Sequence, residues 1–133
     1  MSPNELESFQ SRSFRLACSV VALYVKLAKT RTVPGLILKQ FLSAGTSIGA
    51  NLEEAQGAHS RSDLTAKFSI ALKESRETEY WIRLMIATKL VPSTAFGSTA
   101  AEAGEMIAVL TVARRRLKEE TGERSDPAPS DEG

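Results

Sequence analysis

SRSDLTAKFSIALKESRETEYWIRLMIATKL, Ser60 to Leu90, is the stretch on which the fold turns. Leu64, Phe68, Ala71, Leu72, Ser75, Ile82, Met85, Ile86 and Leu90 mark one side of a helix, with Trp81 alongside. Ser60 followed by Asp63 resembles a capping box with Asp in place of Glu, which sets the start. The spacing predicts a helix over about 61–90; at ~1.5 Å per residue, about 28 residues span about 42 Å. So long a helix in so small a chain needs antiparallel neighbours of similar length.

Working upstream, Gly57-Ala58-His59 ends the preceding helix, with Gly57 as its C′ residue. That second helix is expected over 34–56, Pro34 suiting its first turn. Ile37, Phe41, Ala44, Ile48 and Ala55 lie on one side, with Leu52 at the margin. Gly45 and Gly49 sit one turn apart among small residues. Glycine inside a helix costs about 1 kcal/mol relative to alanine, so the pair predicts close approach of another backbone. Asn51, Glu53 and Glu54 follow directly and argue against a membrane reading of the Gly-xxx-Gly spacing.

The first helix is expected over 4–30. Leu6, Phe9, Ser13, Leu16, Val20, Leu23 and Leu27 form a heptad seam interrupted only by Ser13. Phe14, Ala17, Val21, Tyr24 and Ala28 form a second stripe beside it, so the helix should be contacted from two sides. Downstream, Val91-Pro92-Ser93 stops the third helix. The fourth, about 93–121, begins near Ser93, or near Ser98 if Gly97 interrupts. Phe96, Ala100, Ala103, Ile107, Leu110, Val112, Ala113 and Leu117 supply its core side. With short connections the fold class is all-α, an antiparallel up-down-up-down four-helix bundle over residues 1–122. Residues 123–133 carry two prolines, four acids and no large apolar side chain, and should form a disordered acidic tail.

Lysine plus arginine is 17 and aspartate plus glutamate 16, for a formal net charge of +1. That figure averages two unlike parts. From Glu119 onward six acids face one base, net −5, whereas residues 1–118 carry 16 bases and 10 acids, net +6. Deleting Glu119–Gly133 should therefore strengthen any binding to nucleic acid. The lone Cys18 excludes an internal disulfide framework and a cysteine-based zinc site, and is expected as a packed free thiol. No apolar run is long enough to span a membrane, and Met1–Glu5 lacks the basic region of a signal peptide, so a cytoplasmic location is expected.

TSIGANLEEA (Thr46–Ala55) and SRSDLTAKFSIALKESRETEYW (Ser60–Trp81), at their mutual spacing, resemble signature segments of the bacterial 23S rRNA intervening-sequence protein family. The resemblance covers about residues 5–118 and implies a homopentameric four-helix bundle. It also implies kinship with the accessory protein of diversity-generating retroelements, which binds nucleic acid and a reverse transcriptase through a basic surface. At Ser43 the chain departs from relatives that often carry arginine or lysine.

Among polar residues, Asn51, Glu54 and Glu77 are expected to form a structural network that fixes helix register, since a buried carboxylate is costly unless paired. A ferritin-like metal site needs Glu-x-x-His motifs on two helices, and Glu74-x-x-Glu77 has no histidine; His59 lies in a loop. No metal and no cofactor are expected. Thr46 and Ser47 have no neighbouring base, so no catalytic residue is assigned and an enzyme is not expected. Arg114, Arg115, Arg116 and Lys118 form the strongest charge cluster, with Arg83, Lys89, Arg76 or Lys73 expected to contribute from the third helix. They either close the dipole of the fourth helix or contact RNA or DNA phosphates. Tyr80 and Trp81 point to different sides, one to the core and one to an oligomer interface. The expectation is a non-enzymatic homo-oligomer that associates with nucleic acid; the alternative is a protein-protein scaffold with no such role.

Overall fold

Ser2 opens the first helix with a reciprocal cap. Its hydroxyl accepts the Glu5 amide at 3.2 Å and its own amide donates to the Glu5 carboxylate at 3.3 Å. Pro3 follows, where a missing N–H costs nothing, and α1 runs Pro3–Thr30. The computed structural model describes residues 1–122, and α1 is followed by α2 (Gly35–Glu54), α3 (Arg61–Ala87) and α4 (Thr99–Glu120). The stretch 123–133, expected to be disordered, lies outside the described residues.

Consecutive helices pack closely along their lengths, whereas α1 and α4 approach each other far less closely and are linked by ion pairs, Glu5 to Arg116 and Arg12 to Glu105. The bundle is therefore open on that side, where Glu5, Phe9, Val109, Val112, Ala113 and Arg116 line a groove of about 400 Å³. Among the described residues, no helix is long and apolar enough to cross a membrane.

The core follows the seam of α1. Leu16, Val20, Leu23 and Leu27 meet Phe41, Ile48 and Leu52 of α2, Phe68, Leu72, Ile82 and Met85 of α3, and Met106, Leu110 and Leu117 of α4. Aromatic pairs close both ends: Phe9 against Phe68 with ring centroids 5.3 Å apart, and Phe41 against Phe96 at 6.4 Å. Ser13 is buried and donates to the Gln10 carbonyl at 3.0 Å, so the polar interruption of the seam leaves no orphaned hydroxyl.

Ser13 is small because Gly49 passes over it: a Cβ at Gly49 would lie 3.4 Å from Ser13 Oγ, and one at Gly45 would lie 2.7 Å from both Val20 methyls. The glycine pair thus seats α2 on α1 within one chain.

Several boundaries and packing assignments differ from the sequence expectation. Residues 55–57 form a 3₁₀ turn, Ala55–Gly57, so α2 ends at Glu54 and Gly57 is not a left-handed C′ residue. At the fourth helix the second of the two expected starts holds: Gly97, at φ 56° and ψ −129°, interrupts it and separates the 3₁₀ turn Ser93–Phe96 from α4, which starts at Thr99 after Ser98. Leu52 sits in the middle of the core rather than at its margin, a burial that contributes roughly 1.5–3 kcal/mol.

Val112 is exposed, whereas Met106, outside the expected core positions, is buried. Cys18 is exposed, not packed, because it lies on the outward side of α1 with Phe14, Val21 and Val25. Phe14 is 65% exposed, so among the described residues α1 has no second partner for this stripe.

Candidate nucleic-acid interface

Up-down-up-down connection sorts the charged residues into two ends. At the terminal end lie the start of α1, the end of α2, the start of α3 and the end of α4. At the loop end lie the α1–α2 and α3–α4 connections.

The arginine run belongs to the terminal end, where acids sit among the cations. Arg116 lies 3.6 Å from Glu5, and the N-terminal ammonium and Arg61 both converge on Glu120. Lys67 donates to Glu54 at 2.9 Å, a bond that raises its pKa above the usual lysine value. Glu5 is held below the usual carboxylate value by the Ser2 amide first and the Ser2 hydroxyl second. Arg114 is half-buried and donates through Nε to Ser69 Oγ at 3.0 Å, which docks α4 on α3. Arg115 is exposed and Lys118 half-buried.

Arg83 and Lys89 do not join this cluster. Arg114 sits opposite Ser69, and at ~1.5 Å per residue Arg83 lies roughly 21 Å and Lys89 roughly 30 Å further along α3. Lys73 and Arg76, one and two turns beyond Ser69, are the partners that α3 supplies. With Ser69, Leu72 and Arg114 they line an open cleft of about 270 Å³ that no carboxylate lines among the described residues.

The expected polar network is not a single cluster. The Asn51 amide donates to the Ser47 carbonyl of its own helix at 2.8 Å, Glu54 pairs with Lys67, and Glu77 accepts from Trp81 Nε1 at 3.3 Å. None of these bonds joins the three to one another, because each side chain reaches a nearer partner first. Between α2 and α3, burial raises the Glu74 pKa, and the neighbouring charge of Glu77 adds to it. Tyr80 is exposed and stands edge-on to Trp81 at 5.1 Å, while Trp81 is half-buried against the core. Among the described residues no three His, Cys, Asp or Glu side chains come together as metal ligands.

Sequence reasoning passed over four exposed cations at the loop end, Lys26, Lys29, Arg31 and Lys39. The signal that would have found them is the complete absence of acids from residues 26–39 and 83–98, the two segments that form that end.

The family model described as 23S rRNA-intervening sequence protein matches residues 5–112, nearly the whole bundle. The chain belongs to this family. A solved structure from Bacteroides thetaiotaomicron, a protein of unknown function from the S23 ribosomal protein family, is 36% identical with a TM-score of 0.74. The match covers 80% of this chain and 98% of that one, so the intervening-sequence bundle is shared from end to end of the relative. Among proteins of curated function, none matches the chain.

Proposed function

We propose that this member of the intervening-sequence family is a non-enzymatic, self-assembling cytoplasmic accessory protein that holds RNA or DNA by its phosphates. The cleft between α3 and α4 carries the reading. Lys73, Arg76 and Arg114 converge there, with no carboxylate in the lining among the described residues, and Ser69 accepts a hydrogen bond from Arg114 Nε. Guanidinium forks match phosphate oxygens, and such contacts fix position without reading sequence. The family description, which names a ribosomal RNA, supports RNA as the polymer.

Assembly rests on two unlike apolar stripes. Phe14, Val21 and Val25 face outward from α1, and Ile70 and Tyr80 face outward from α3. Because consecutive helices are neighbours, α1 and α3 are diagonal and their outward faces point apart. A head-to-tail contact of one stripe on the other generates a closed ring, and the family resemblance favours five copies.

The competing reading, a scaffold with no nucleic-acid role, draws on the Arg116–Glu5 pair, which engages part of the arginine run.

Binding of a fluorescent hairpin RNA across a salt series tests the function. The parent should bind at 50 mM salt and weaken steeply as salt rises, and Lys73→Gln/Arg76→Gln should bind about five-fold more weakly. A parent that fails to bind at 50 mM salt leaves only the scaffold. Light scattering tests assembly: a mass near the 14.4 kDa of one chain at high concentration removes the ring.

A further inference from the structure

Resting on the phosphate-binding reading above, we infer that the loop end of the bundle is the principal docking surface for the backbone of double-helical RNA. Lys26, Lys29, Arg31, Lys39, Arg83 and Lys89 gather there, all exposed, and none forms an ion pair among the described residues. Residues 26–39 and 83–98 contain no aspartate or glutamate. Up to Lys118 the chain holds 16 bases and 10 acids, so setting these six aside leaves ten of each. The excess positive charge of the helical body therefore resides at this one end. The nearest acids along the chain are Glu79, four residues before Arg83 and in no ion pair with it, and Glu102, which accepts from the Ser98 hydroxyl at 3.0 Å; Glu105, further on, pairs with Arg12 at 3.3 Å.

Helix dipoles account for only half of the cluster. Cations at the C-terminal ends of α1 and α3 are favoured, which covers Lys29, Arg31 and Lys89. Lys39 lies near the positive end of α2, and Lys26 and Arg83 lie further than the last turn from a helix end.

The backbone adds an independent sign. Arg31 and Lys89 are the two non-glycine residues with positive φ among those described, at 56° and 60°. Lys89 is the C′ residue of a Schellman motif, with the Leu90 amide on the Met85 carbonyl at 3.1 Å and the Lys89 amide on the Ile86 carbonyl at 3.0 Å. Glycine ordinarily fills that position, and glycine does close α4, at Gly122 with φ 75°. At the loop end Gly97 takes one of the three positive-φ positions, and the other two hold a cation instead.

The ligand class follows from the side chains present. Four of the six cations are lysines, point charges on flexible stems that accept phosphate at varied angles. The only aromatic side chain in the two loop-end segments is Phe96, which is buried, so no exposed ring there offers a base a stacking surface. Recognition of backbone phosphates without base contact suits an A-form duplex, whose bases are stacked inside and whose charge is outside.

The test compares two variants of the full chain on one probe, a fluorescein-labelled RNA hairpin with a long stem. Lys26→Gln/Lys29→Gln/Arg31→Gln/Lys39→Gln removes four exposed cations distant from the α3–α4 cleft, and Lys73→Gln/Arg76→Gln removes two from the cleft. The loop-end variant should bind at least thirty-fold more weakly at 50 mM salt, and its log–log salt slope should be shallower by about three. An unchanged circular-dichroism melt separates this from unfolding, and the single substitution Lys39→Gln should still cost several-fold.

Hairpin binding by the loop-end variant within three-fold of the parent overturns the assignment. If the cleft variant alone loses affinity, phosphate binding stands and its site is the cleft. If the parent itself does not bind, the underlying reading falls with it. Equal loss of affinity for a single-stranded oligonucleotide of the same length would overturn the duplex preference.

Discussion

At the end where the chain begins and α4 finishes, Lys67 lies 2.9 Å from Glu54 and Arg116 lies 3.6 Å from Glu5. At the other end Lys26, Lys29, Arg31, Lys39, Arg83 and Lys89 meet no carboxylate among the described residues. The terminal end contains the densest run of basic letters, Arg114-Arg115-Arg116, yet acids sit among its cations. The loop end scatters its bases over two segments and has no acid among them. Local neutralisation, not the local number of arginines, decides what a surface offers to a polyanion.

The largest expected effect breaks the contrast outright. Lys29→Glu/Lys89→Glu places acids where none exist, and hairpin affinity should fall about a hundred-fold at 50 mM salt, whereas Arg115→Glu should cost less than five-fold; fluorescence anisotropy measures both. Next, Lys89→Gly relieves a left-handed lysine. The fold should gain about 1 kcal/mol, seen as a melting temperature higher by a few degrees, while RNA affinity drops two- to three-fold. Stability and binding moving in opposite directions would show that the charge is retained at a structural cost.

Removing residues 123–133 deletes four acids and one base while leaving Glu119 and Glu120 in α4. Affinity should then rise about two-fold at low salt, with no change at high salt, where screening erases the tail's competition.

Acid gives the smallest effect and the sharpest spatial contrast. Glu5 has its pKa lowered in the fold, so its contribution is present above the ordinary carboxylate pKa and is lost as pH falls through the lowered value. In an NMR titration from pH 7 to 3, amides of the first turn of α1 should shift, and those of residues 29–39 should stay still.

Much of the fold was legible because helical period is local. Phe68, Leu72, Ser75, Ile82 and Met85 announce the buried side of α3, and Gly45 with Gly49 announces a close contact before its partner, α1, is known. Val112 was misassigned for a physical reason: an apolar position has the same spacing whether it faces this chain's core or its exterior, as the outward stripe of Phe14 and Val21 shows. Cys18 follows them, since an apolar run does not say which of its residues lie inside.

The site was less legible. Arg114 to Arg116 is visible as three consecutive letters, whereas Lys29 and Lys89 are brought to one end only by the topology. Arg83 and Lys89 were grouped with the arginine run although a helix places them far along the bundle. Counting acids per hairpin connection, rather than bases per run, would have separated the two ends.

The weak seam between α1 and α4 has a kinetic consequence. With α1 packed on α2, α2 on α3 and α3 on α4, nearly every tertiary contact joins neighbours in the sequence. Such a chain has a low contact order, so little loop-closure entropy stands in the way of its early contacts and folding should be fast. Each hairpin can form before the chain is complete, and the first two helices need not wait for α4. The bundle assembles as a zipper of adjacent pairs, with the α1–α4 seam closing last.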